Sequence, residues 1–158
     1  MRMAAMRGRW AVVLSAFAAP VLLLAACGGG EEAGGARTTV DVRLQEWAVL
    51  PAQASSPAGQ ITFRAENTGP EDEHELVVIR TDLAPDALPV RDDGSVDEEG
   101  AGIQIVGEIE EFAVGQTESQ TFDLSEGKYV LICNLMHTEH GATEAHYRMG
   151  MRAAFTVT

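Results

Sequence analysis

Apolar and polar residues alternate in a series of short runs: TTVDVRLQEWAV, QITFRAEN, HELVVIR, QTFDLSEG, KYVLICN and RAAFTVT. In QITFRAEN, residues Ile61, Phe63 and Ala65 fall on one side and Thr62, Arg64 and Glu66 on the other, the pattern of a strand buried on one face. Turn chemistry separates the runs at Asn67-Thr68-Gly69-Pro70 and at Ser125-Glu126-Gly127-Lys128, with glycine available where a positive φ is needed. Strands this short and this regularly punctuated predict an all-β sandwich and not a helical bundle. Lys128 opens YVLIC, an unbroken apolar run that reads as a central strand. Cys133 therefore stands where that strand ends and a loop begins.

Two stretches depart from this rhythm. From Asp82 to Glu111 the chain reads DLAPDALPVRDDGSVDEEGAGIQIVGEIEE, longer and more acidic than a sandwich connection requires. A short helical turn near APDAL and a strand near IQIVGEI are expected, with DDGSVDEEG as an exposed, solvated loop; calcium-loop spacing is absent. The other departure is the start. MRMAAMRGRW is basic and runs into AVVLSAFAAPVLLLAA, a secretory signal too short and too interrupted by Pro20 to span a membrane. Leu24-Ala25-Ala26-Cys27-Gly28 resembles the bacterial lipoprotein cleavage signal, which makes Cys27 the expected lipidated residue. The tract GGGEEAGGAR that follows is too polar and glycine-rich to fold and reads as a tether. The expected organisation is a signal over 1–26, a linker over 27–38 and one domain over 39–158. That domain is long enough for a single core, placed outside the cytoplasm and anchored to the membrane by lipid.

The formal charge is −13, and removal of the signal with Arg2, Arg7 and Arg9 makes the remainder more acidic. This argues against nucleic acid and anionic lipid surfaces, and for redox partners with basic docking surfaces. Of the two cysteines, Cys27 belongs to the lipid signal, so Cys133 has no partner for a disulfide. A lone thiol in an oxidising compartment needs protection by burial or by a metal.

The chemistry gathers near the end, in CNLMHTEHGATEAHYRMGM, where Cys133 is followed by His137, His140 and His146 and by Met136, Met149 and Met151. His74 opens the run HELVV far upstream. Soft thiolate and thioether ligands together with imidazoles suit copper, and two His and one Cys with a weak axial Met make an electron-transfer copper site. A Cys-His₃ zinc site from Cys133, His137, His140 and His146 has permissible spacing but leaves His74 and the HYRMGM ending unexplained. A catalytic cysteine–histidine pair lacks an orienting third group, so an enzyme is not expected. A metal-free interaction sandwich would make the four ligand types a coincidence.

The W-bearing first strand, the N-x-G before HELVV, GKYVLICN, HYRMGM and the closing AAFTV together resemble the cupredoxins, the blue-copper superfamily of plastocyanin and azurin, over roughly Thr39 to Thr158. The resemblance implies a Greek-key β-sandwich, here with a long acidic loop insertion, holding one type 1 copper on His74, Cys133, His146 and Met151. The function it implies is one-electron transfer, with His146 as the way out for the electron. His146 followed by Met151 matches the HYxxGM ending, with the ligand loop lengthened by MHTEHGATEA; Met149 is the rival to Met151. His137 and His140 are left either as decoration of that lengthened loop or as a copper-loading patch. Asn134 resembles the family position that steadies the cysteine loop. A copper chaperone or store using the same site is the alternative function.

Overall fold

The computed structural model describes residues 37–139 and 142–158. The expected signal, Cys27 and nearly all of the linker lie outside the described residues, as does His140. Among the described residues no helix is long and apolar enough to cross a membrane.

The described residues form eleven strands and one short helical turn. They run β1 Thr38–Gln45, β2 Ala48–Pro51, β3 Ser55–Ser56, β4 Gly59–Asn67, β5 His74–Thr81, β6 Ile103–Phe112, β7 Thr117–Leu124, β8 Gly127–Ile132, β9 Met136–Glu139, β10 Ala142–Ala145, α1 His146–Met149 and β11 Arg152–Val157. One sheet has the order β2-β1-β4-β7 and the other β3-β11-β8-β5-β6; β9 and β10 form a separate hairpin. The expected sandwich is present. Its core lies between the sheets: Val40, Val42 and Leu44 of β1 and Ile61, Phe63 and Ala65 of β4 meet Leu76 and Val78 of β5, Leu131 of β8 and Phe155 of β11. Each large side chain sealed there contributes roughly 1.5–3 kcal/mol relative to exposure.

β5 and β8 lack the alternation of the other strands because both of their faces are covered. Val77 and Ile79 of β5 and Val130 and Ile132 of β8 point away from the main core into a second cluster with Leu88, Val96 and Tyr147. Leu88 and Val96 come from the acidic segment, which corrects the expectation that DDGSVDEEG is a solvated loop. Ser95 and Val96 are buried, since the apolar outer face of β5 and β8 needs a cover. The Tyr147 hydroxyl secures this cover, accepting the Leu88 N–H at 3.1 Å and donating to the Pro85 carbonyl at 2.9 Å.

Candidate metal centre

Two strand ends and the start of the helical turn converge at one end of the sandwich. β5 begins on His74, β8 ends one residue before Cys133, and α1 begins on His146 just ahead of β11. Backbone bonds lock the return of the chain: His146 N–H donates to the Leu135 carbonyl at 2.8 Å, Met151 N–H to that of His146 at 3.0 Å, and Cys133 N–H to that of Met151 at 3.2 Å. Gly150, with φ 133°, makes the turn between α1 and β11. The lengthened ligand loop is thus closed at its base on both sides of Cys133.

The side chains meet inside this frame. Cys133 Sγ lies 3.2 Å from His146 Nδ1 and 3.9 Å from His74 Nδ1, and the three donor atoms all fall within 4.8 Å of one another. All three residues are buried, with Met151 fully so beside Cys133 in the main core; Met149 is only half-buried. Burial favours Met151 over Met149, as the HYxxGM ending implies. Of the zinc set read from spacing, His140 lies outside the described residues, and the histidines grouped with Cys133 are His74 and His146 and not His137.

Burial also sets the protonation states. It pushes the Cys133 thiol up to about 12, against the backbone N–H groups near Glu75 and Leu135 that act the other way. It pushes His146 down to about 4, helped by neighbouring His74, and it lowers His74 despite the Glu46 and Asp72 carboxylates nearby. Without a metal the pocket therefore holds a neutral thiol and two neutral imidazoles. His74 Nε2 is buried without a hydrogen-bond partner, 3.8 Å from Glu46 Oε1. A soft thiolate and two imidazoles in a closed pocket, with Met151 buried in the same core cluster as the thiol, fit a copper ion, whose charge would replace the proton that burial holds on the sulfur.

Four further residues, Trp47, Glu46, Asp72 and Glu75, support this pocket. The ring of Trp47 stands edge-on to His146 at 4.9 Å, His137 at 5.0 Å and His74 at 6.4 Å. Glu46 accepts the N–H groups of Glu71 and Asp72, at 3.0 and 2.6 Å, fixing the chain just ahead of His74. Asp72 pairs with His137 Nδ1 at 2.6 Å. Glu75, whose burial raises its carboxyl to about 7 against the opposing Asn134 N–H bond, accepts that N–H at 2.9 Å. Asn134 steadies the cysteine loop through the acidic segment: its side chain takes the Val96 N–H at 2.6 Å and donates to the Val96 carbonyl and to Glu98. The acidic segment is a brace for the loop that carries the thiol.

No protein-family model matches the chain, and no curated protein matches its sequence. Solved structures do match. One is the dithionite-reduced auracyanin of the photosynthetic bacterium Roseiflexus castenholzii, at a TM-score of 0.54 and 24% identity over 78% of this chain and 99% of that one. Another is auracyanin A, a blue copper protein of the green thermophilic photosynthetic bacterium Chloroflexus aurantiacus, at 0.51 and 18% identity over 78% and 100%.

The chain has the cupredoxin fold.

Within this cupredoxin fold the stretch MHTEHGATEA is the β9–β10 hairpin, with register Met136↔Ala145 to Glu139↔Ala142. It brings His137 against Trp47 and Asp72, leaving His146 with only 2% of its side chain exposed. The expected way out for an electron is therefore covered by Trp47 and His137.

Proposed function

We propose that the domain binds one copper ion on His74, Cys133 and His146, with Met151 as the axial thioether, and carries single electrons on the outer side of the cell membrane. The observation that carries this reading is the convergence of His74, Cys133 and His146 in a sealed pocket. Copper supplies the one-electron couple. The protein supplies constancy: each donor stands at the end of a strand or on a hydrogen-bonded turn, so both oxidation states meet nearly the same ligand positions. A carrier benefits from that rigidity and from burial, whereas a chaperone or store needs ligands that open to an acceptor. Delivery to the exported side rests on the basic, apolar start of the chain and on Cys27. Basic docking surfaces on the redox partners complement the acidic surface.

Adding Cu(II) to the metal-free protein should produce an intense visible thiolate-to-copper band, and Cys133→Ser should abolish it. A variant that kept the band would sink the ligand assignment. Rapid, reversible electron exchange without loss of copper separates the carrier from the chaperone, for which copper should pass readily to an acceptor.

Copper binding should also report the state of the thiol. Both histidines are already neutral at pH 7 because burial lowers them, while Cys133 still holds its proton. Metal uptake then releases one proton, and apparent Cu(II) affinity should rise about tenfold per pH unit between roughly pH 7 and 9. Chelator competition at several pH values, corrected for the chelator's own protons, measures this slope. A flat profile would mean that the thiol is ionised before the metal arrives.

A further inference from the structure

The donors of the buried site have no exposure to speak of: His74 and Cys133 are sealed, and His146 nearly so. Just outside them lies a second convergence, Asp72, His137 and His146, whose donor atoms again fall within 4.8 Å of one another. The two sets share one ring and use its two edges. His146 Nδ1 faces the thiol at 3.2 Å, and its Nε2 faces Asp72 Oδ2 at 3.8 Å. The same Asp72 oxygen is 2.6 Å from His137 Nδ1. These separations bracket the roughly 3.3 Å expected between neighbouring ligands bonded at about 2.0–2.1 Å to one ion. Unlike the inner donors, the side chains of Asp72 and His137 are 25% and 19% exposed, and Asp72 and His146 help line an open pocket of about 410 Å³ that also carries Glu71, Glu73 and Glu111. The pocket's charge draws cations towards this set.

We infer that Asp72, His137 and the Nε2 edge of His146 form an outer loading site that captures Cu(II) from solvent and passes it to the buried donors. This rests on the copper reading of the buried site. A carboxylate with two imidazoles is a donor set for Cu(II) that lacks sulfur, so copper held there gives no thiolate band. His146 carries one proton throughout. That proton is on Nδ1 while Nε2 is engaged outside, and on Nε2 once Nδ1 is engaged inside, where the Cys133 thiol gives up its own proton as the thiolate takes the copper. Sharing also makes the sites alternate. When Nδ1 is a ligand of the inner copper, the protonated Nε2 is lost to the outer set, so a filled protein does not hold a second ion there.

The test is to mix metal-free protein with one equivalent of Cu(II) and to follow both the visible band and freeze-quenched paramagnetic spectra. A colourless, sulfur-free Cu(II) species should precede the band in the wild type. Asp72→Asn removes the charged oxygen, and His137→Gln keeps a planar side chain that can still bond Asp72 while removing the imidazole. Both should lose the early species and slow the band about tenfold or more. If both variants show the early species and develop the band at the wild-type rate, the outer site does not exist. If the wild type develops no band yet holds Cu(II) in a colourless form that Asp72→Asn removes, the outer site stands and the copper reading of Cys133 falls.

Discussion

Asn67→Leu is expected to lower the stability of the domain by about 3 kcal/mol, because leucine keeps the volume and orphans two buried backbone groups at about 1–3 kcal/mol each, together with a third that is part-buried. Asn67 is fully buried at the end of β4. Its Nδ2 donates to the Asp72 carbonyl at 2.9 Å and to the Phe112 carbonyl at 3.0 Å, and its Oδ1 accepts the Gly69 N–H at 2.9 Å. Those three partners belong to the turn after β4, to the approach to His74, and to the end of β6, where Phe112 pairs with His74. One side chain thus ties the end of β4 in one sheet to the strand of the other sheet that presents a candidate metal donor. Chemical denaturation should show the midpoint falling, and the copper should be lost faster because His74 has lost its anchor. A variant within about 1 kcal/mol of the wild type would mean that water replaces the amide without cost, which burial of the site argues against.

The alternation of QITFRAEN is visible in sequence because β4 has one face in the core and one in solvent, so each residue reports its side. The unbroken runs of β5 and β8 report something else, two covered faces: YVLIC shows it in sequence, whereas HELVVIR passes for an alternating run until the structure shows both of its faces covered. What could not be read was the identity of the cover. Leu88 and Val96 are single apolar residues in an acidic stretch, and neither has a periodicity to announce it; only the bonds from Asn134 and Tyr147 show why they are held down. The ligand set shows the same division. Cys133, His146 and Met151 share a short local motif, and His74 follows a turn and opens a strand; type and position make them candidates, and the resemblance to the cupredoxins singles out His146 and Met151 from their rivals. Trp47, Glu46 and Asp72 act through contacts between elements distant in sequence, and the acids among them are hidden in a chain where carboxylates are common. His137 looked equivalent to His146 by type and spacing. The two are divided by the hairpin, which turns one ring towards Asp72 and leaves the other facing the sulfur.

Gly150→Ala is expected to cost about 2 kcal/mol or more, combining a backbone conformation that side chains with a Cβ rarely adopt with a clash that has no flexible partner. Gly150 has φ 133° and ψ −2°, and an added Cβ would come 2.8 Å from the carbonyl oxygen of Trp47. That oxygen is main chain, so relief requires either the Trp47 segment or the turn between α1 and β11 to move. Both moves reach the metal pocket: Trp47 stands against His146, and the turn carries Met151 and, through the Met151 carbonyl, the N–H of Cys133. Gly115→Ala separates the two causes, since Gly115 also has a positive φ, 79°, but an added Cβ there meets nothing within 4 Å. Thermal melting should fall in both variants, further in Gly150→Ala, and only Gly150→Ala should change the position or intensity of the thiolate-to-copper band. Equal losses in the two variants, with an unchanged band, would show that backbone strain accounts for the whole effect and that the contact with Trp47 does not hold the site in shape.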